Sequence, residues 1–172
     1  AAALDEDGLF PMPARATVLY AKWSITAEPI PYLYTRAADG VTITGYTGDE
    51  TVITVPGQIE GMDVTAIGAR AFAKCAAESV TLPETAWVIG DGAFADCARL
   101  MSVRMNGAEE IGANAFSGCV SLLSISLPGT LQTIDAHAFA GCSGLTGVTL
   151  PDGVYAVADN AFSGCANLRS AT

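Results

Sequence analysis

From Ile67 onward the apolar positions of the chain return at fixed intervals. Ile67, Ile89, Ile111, Ile134 and Val157 each stand five residues before Phe72, Phe94, Phe116, Phe139 and Phe162, and a Cys follows three residues after each Phe. Three residues beyond the Cys come Leu100, Leu122, Leu145 and Leu168, with Glu78 in their place in the first repeat. Short alternating segments follow: "SVTLP", "SVRMN", "SISLP" and "GVTLP". Alternation with β-branched residues predicts a strand with one buried face. Val80/Leu82, Val103/Met105, Ile125/Leu127 and Val148/Leu150 point inward. Ser79/Thr81, Ser102/Arg104, Ser124/Ser126 and Gly147/Thr149 point outward. Pro83, Pro128 and Pro151 then end the strand, because proline has no N–H to extend the ladder.

Spacings of 22, 22, 23 and 23 residues between successive Cys define the repeat unit. A coil of this size cannot bury its own Ile, Phe and Leu, whereas stacked coils share one continuous core. Successive strands then lie about 4.8 Å apart in a parallel sheet, with Phe above Phe, Ile above Ile and Cys above Cys. The two shorter repeats each lack a residue, one between Cys75 and Val80 and one in the turn between Asn106 and Ile111. Shortening in loops leaves the core columns in phase.

Composition fits this picture. The chain has 172 residues, 51% hydrophobic and 15% charged, with 18 Gly, as expected of an ordered, turn-rich protein. A net charge of -10 opposes binding to nucleic acid and to anionic lipid. No apolar run approaches the roughly 20 residues of a membrane span. The amino terminus "AAALDEDGLF" is neither basic nor apolar enough for a secretory signal. The sequence starts without Met and stops inside a segment, "NLRSAT", that aligns with the strand start "GLTGVT". Both features make it an expected excerpt of a longer polypeptide, continued by further repeats or a cap.

The columns resemble the BspA-like (treponemal-type) leucine-rich repeats of bacterial surface proteins. Proline, Ile-Gly, Ala-Phe and Cys recur together from about Asp39 to the end. Departures are Glu78 for Leu, Asn106 for Pro, and Asp135 and Ala158 for Gly. The resemblance implies a right-handed leucine-rich-repeat solenoid, β-rich with short helical turns. Its parallel β-sheet would carry an amino-terminal β segment that caps the first coil. The expected organisation is a β cap and first strand over residues 27–66 and repeats over 67–172. Residues 1–26, through "FPMPARATVLYAKWSI", resemble the closing strand of a Listeria–Bacteroides repeat.

Candidate chemistry is sparse. Five evenly spaced Cys are an odd number without a paired framework, and His137 is the only His available to complete a metal site. A reactive thiol needs exposure and a basic neighbour, and Lys74 is the only lysine near any of the five, so the Cys column reads as buried structural thiols. His137 falls in a turn column shared with Arg70, Gly92, Asn114 and Asn160. Asp49/Glu50 and Glu109/Glu110 read as solvated charge pairs in turns. No Ser or Cys recurs with His and Asp in a nucleophilic arrangement. Catalytic, cofactor and metal residues are therefore expected to be absent. Two residues before the Ile column stand Thr65, Trp87, Glu109, Gln132 and Tyr155. Trp87 and Tyr155 there serve either as interface anchors or as covers for apolar edges of their own coil.

The expected function is non-enzymatic: a cell-surface or secreted module that recognises a host or neighbouring-cell protein or glycan. Its partner surface is drawn from Ser102, Arg104, Ser124, Ser126, Thr149, Trp87 and Tyr155. The alternative is a passive spacer within a large bacterial surface protein, consistent with a sheet face of Ser, Thr and Gly that lacks aromatics.

Overall fold

The computed structural model describes residues 30–171, so the upstream module expected over residues 1–26 lies outside the described residues. The chain enters through β1 (Tyr32–Ala37), antiparallel to β2 (Gly40–Tyr46), which runs parallel to β5 (Met62–Ile67). The short β4 (Gln58–Ile59) pairs antiparallel with β5. Beyond β5 the ladder advances by one two-residue strand per coil. These are β7 (Val88–Ile89), β9 (Glu110–Ile111), β10 (Thr133–Ile134) and β12 (Ala156–Val157). Ile67, Ile89, Ile111, Ile134 and Val157 are successive partners in this register, and Ile43 of β2 precedes them.

A second ladder holds the alternating segments. β3 (Val52–Thr54), β6 (Ser79–Leu82) and β8 (Ser102–Met105) pair in parallel. The pattern predicts that residues 124–127 continue this sheet as a full strand. They instead join it through a single bridge, Arg104 to Ser126. The ladder resumes separately as β11 (Gly147–Val148) with β13 (Ser170–Ala171). Ile125 and Val148 remain buried, so the core face persists where the backbone pairing parts.

The expected short helical turns are not helices: among the described residues there is none. The "AFxxC" segments are runs of tight turns, and the reason is backbone handedness. Two positions per coil, two residues before and two after the Phe, have positive φ. They are Arg70 and Lys74, Gly92 and Asp96, Asn114 and Gly118, His137 and Gly141, Asn160 and Gly164. Left-handed residues interrupt a right-handed helix. They also turn alternate N–H groups toward the next coil: Phe94 donates to Ala115 at 2.7 Å and Asp96 to Ser117 at 2.7 Å. The intervening N–H groups close turns within the coil, Ala95 to Gly92 and Cys97 to Phe94.

Phe rings fill the centre. Phe72, Phe94, Phe116, Phe139 and Phe162 stack with centroids 5.1–5.2 Å apart and planes within 12° of parallel. Tyr46 ends the stack, 5.2 Å from Phe72, and Tyr32 packs on Tyr46. The β1–β2 hairpin therefore caps the first coil with aromatic rings as well as with strand pairing.

The two shortened repeats are absorbed differently. Glu78 does not occupy the Leu column; its carbonyl receives the Met101 N–H at 2.9 Å, which aligns it with Met101, and Ala77 fills the Leu position, fully buried. In the second, the Ala108 N–H closes a turn directly onto the Met105 carbonyl, where the corresponding turns elsewhere close onto Pro83, Pro128 and Pro151. That short turn presses Gly107 against the backbone of Glu84, leaving no room for a Cβ.

Candidate functional site

The outward side chains of β6 and β8, with those of residues 124–126, line a shallow groove of about 410 Å³. Ser79, Thr81, Ser102, Arg104, Ser124 and Ser126 line it together with Val103 and Asn106, and Ser102 Oγ donates to Ser79 Oγ at 3.1 Å. Alternation places these side chains outward because Val80, Leu82, Val103 and Met105 between them are buried. Arg104 supplies the cation of the groove. The other nearby guanidinium, Arg99, is held by Glu78 at the groove's edge. Four of the seven residues expected on a partner surface thus converge: Ser102, Arg104, Ser124 and Ser126. Thr149 lies in an adjoining cleft of about 460 Å³, shared with Ser126, where the ladder parts. Trp87 and Tyr155 stand on the other ladder.

The groove has a rim that the repeat pattern did not reveal. Met101 and Leu123, immediately before Ser102 and Ser124, are 44% and 55% exposed. Their column otherwise holds Glu78, Thr146 and Arg169, each linked backbone to backbone with the coil before. The signal was present as two large apolar residues in a column whose other members are polar. The face therefore combines hydroxyl groups and one cation with an aliphatic edge.

The thiol column has a bonding role beyond filling space. Cys97 Sγ donates to the Phe72 carbonyl at 3.0 Å, and the relation repeats for Cys119 with Phe94, Cys142 with Phe116 and Cys165 with Phe139. Each of these carbonyls also receives the N–H of the Cys in its own coil, as Phe94 does from Cys97 at 3.3 Å. Each thiol so stitches its coil to the one before. Cys97, Cys119 and Cys142 are buried, while Cys75 and Cys165, at the column's ends, are only partly so. Cys75 instead lies 3.2 Å from Cys97, Sγ to Sγ. That contact and burial raise the Cys75 thiol well above its ordinary range. Burial, with the neighbouring Cys165, pushes Cys142 up to about 12. Thiols held protonated in this way are poor nucleophiles and poor metal ligands.

His137 is exposed at a position of φ 58°, which accounts for its column: Asn, Gly and His tolerate left-handed backbone better than branched residues do. Glu110 does not sit in a turn as expected, because it opens β9, whereas Glu109 lies in the bend before it and accepts from Gln132 Nε2. Asp49 and Glu50 lie exposed between β2 and β3, and Glu50 accepts the Tyr46 hydroxyl. Among the described residues no helix is long and apolar enough to cross a membrane.

Comparison with known proteins agrees with this architecture. The model of the BspA type leucine rich repeat region matches residues 61–172 in six copies. A leucine-rich-repeat protein of T. pallidum is 35% identical, with a TM-score of 0.81 over 82% of this chain and 68% of that one. One from Bacteroides ovatus is 29% identical, with a TM-score of 0.73 over 87% of this chain and 41% of that one. One from Bacteroides capillosus is 26% identical, with a TM-score of 0.51 over 84% and 95%. No functionally curated protein matches the chain. The chain thus spans about two thirds of the treponemal protein and under half of the B. ovatus protein. Matched over well over half its length by the family's own repeat, this chain belongs to the BspA-type leucine-rich-repeat family.

Proposed function

We propose that the chain is a non-enzymatic recognition module, displayed at a bacterial cell surface or secreted, that binds an extracellular protein through the β6–β8 face. One observation carries the reading. A groove of about 410 Å³ collects Ser102, Arg104, Ser124 and Ser126 beside the exposed Met101 and Leu123. A rigid surface with hydroxyl donors and acceptors, one guanidinium and an aliphatic edge has the mixed character of a protein-binding patch. Membership of the BspA-type family supports a protein-binding repeat, a class not usually enzymatic. Solenoids in general recognise partners through such extended faces. Adhesion to host or neighbouring-cell proteins is the use that follows.

The second reading, a passive spacer, is favoured by the absence of aromatic side chains from the groove lining. Surface plasmon resonance with the immobilised chain against a panel of purified extracellular proteins separates the two. Saturable binding that is lost in Arg104→Glu and Leu123→Asp supports recognition. Binding to none of the panel, or binding indifferent to both substitutions, favours the spacer.

A further inference from the structure

The Trp87–Tyr155 column lies on the other ladder, away from the groove, and its geometry is regular. The Trp87 N–H donates to the Thr65 carbonyl at 3.0 Å and the Glu109 N–H to the Trp87 carbonyl at 2.8 Å. Gln132 donates to Glu109 at 2.8 Å and Tyr155 to Gln132 at 3.1 Å. These residues are therefore successive rungs, and three rungs of a parallel ladder set Trp87 and Tyr155 roughly 14 Å apart. Trp87 is 40% exposed and Tyr155 75% exposed. Between them Gln132 Nε2 donates to Glu109 Oε2 at 3.0 Å. That bond leaves a carboxylate oxygen and the amide oxygen for other partners. The adjacent outward residues are the exposed Glu110 and the half-buried Thr133.

The core columns repeat one residue type because stacking selects it. This column repeats none, so stacking does not account for its aromatics, and an exposed Tyr155 adds little to the fold. The arrangement is an aromatic ring at each end and a carboxylate–amide pair between. A protein hot spot is built the other way, with aromatics at the centre and a sealing rim around them. Aromatic rings spaced along a straight row, with polar acceptors between, suit a ligand that also repeats. Sugar rings present an apolar C–H face to an aromatic ring and hydroxyls to carboxylate and amide groups. The net charge of -10 and the carboxylates of Glu109 and Glu110 repel sulfated or uronic-acid polymers.

We propose that the Trp87–Tyr155 face binds an extended, neutral polysaccharide lying along the solenoid. Trp87 and Tyr155 each stack on one sugar ring, and the Glu109–Gln132 pair receives hydroxyls of the sugars between. The site is independent of the protein-binding reading of the β6–β8 groove.

Affinity gel electrophoresis and isothermal titration of the full chain provide the test. The probes are neutral polymers (mannan, xyloglucan, mixed-linkage glucan) and their hexasaccharides, with chondroitin sulfate as the anionic control. At least one neutral polymer should bind, and chondroitin sulfate should not. Trp87→Ala and Tyr155→Ala should each weaken binding about tenfold or more, and Tyr155→Ala should do so without changing the melting temperature. Trp87→Phe should retain part of the affinity, and Arg104→Glu should leave it unchanged. The proposal is overturned if no neutral polymer binds, if the anionic polymer binds better, or if binding survives in the Trp87→Ala/Tyr155→Ala double variant. It is equally overturned if the aromatic variants lose capture of a protein partner while sugar binding persists.

Discussion

The rings of Phe94 and Phe116 lie 5.2 Å apart, centroid to centroid, with their planes within 3° of parallel. Phe116 repeats the relation with Phe139 on its other side, at 5.2 Å and 1°. At this separation parallel rings are offset, the favourable arrangement for two like quadrupoles. Each central Phe thus has an aromatic neighbour on both faces, whereas Phe162 has Phe139 on one side and is partly exposed. Phe116→Ala should leave a cavity and destabilise the array by about 3–5 kcal/mol, and Phe162→Ala by clearly less. Urea denaturation of the two variants measures the difference. Equal losses would show that the column does not act as a stack.

The thiols make a graded prediction, because the structure shields three and half-shields two. Titration of the native protein with a chromogenic disulfide near pH 8 should leave Cys97, Cys119 and Cys142 silent, with slow reaction at Cys75 and Cys165. All five should react after unfolding. Cys142, raised from 9.0 to about 12, favours the protonated folded state. Its contribution to stability is fully present below pH 9.0 and is lost as pH rises from there toward about 12. Fast modification of the three central thiols in the folded protein contradicts the buried thiol column.

Lys74 sits at φ 61° in a column otherwise occupied by Asp96, Gly118, Gly141 and Gly164. Left-handed backbone costs an L-residue about 1–2 kcal/mol. Glycine gives back about 0.5–1 kcal/mol through the entropy of the unfolded chain. Lys74→Gly should therefore stabilise the first repeat by up to about 1 kcal/mol, read as a higher melting temperature. A lower melting temperature would mean that the Lys74 side chain contributes more than its backbone strain costs.

The columns were legible in the sequence because stacking demands the same size at the same place in every coil. Ile67 to Val157 and Phe72 to Phe162 announce themselves for that reason, as do the alternating strands. The Ile ladder was not legible as a sheet, since a two-residue strand has no alternation to read. The Cys–Phe bond was hidden because Cys97 reaches Phe72, in the preceding coil. Glu78 was misplaced because the missing residue lies before it, so position counted from Cys75 shifts by one. The groove's hydroxyl face was legible from alternation. Its rim, Met101 and Leu123, was not, since a repeat alignment draws attention to what recurs and these two residues depart from their column.

Tyr46 ties the aromatic cap to Glu50, which accepts its hydroxyl. That hydrogen bond holds the Glu50 carboxyl below its ordinary value of 4.5. A depressed carboxylate contributes stability above its unfolded value and loses it as pH falls through the folded one, so the cap should weaken on acidification below about 4.5. Tyr46→Phe keeps the ring on Phe72 and removes the bond. Its melting temperature should fall below that of the parent at pH 7, and the gap should narrow as pH falls below 4.5. A gap that does not narrow would show that the hydroxyl acts through something other than Glu50.

Gly107 and Gly129 form a matched pair for testing how the shortened repeat is accommodated. Both lie in the turn between the two ladders, but their surroundings differ. A Cβ on Gly107 would run into the Glu84 carbonyl, whereas one on Gly129 would meet nothing within 4 Å. Neither residue has positive φ, so backbone strain does not separate them. Glu84 is backbone and cannot swing aside, and the deletion has already removed the slack that a longer turn would provide. Gly107→Ala should therefore push the third coil away from the second and cost about 1–3 kcal/mol, as overpacking does. Gly129→Ala should be neutral within about 0.5 kcal/mol, as at other open surface positions. Hydrogen exchange locates the effect: in Gly107→Ala, protection should drop at Ala108 and Glu109, whose N–H groups bond to Met105 and Trp87. If Gly107→Ala is as benign as Gly129→Ala, the short turn has room to spare and the close approach to Glu84 is not what fixes glycine there.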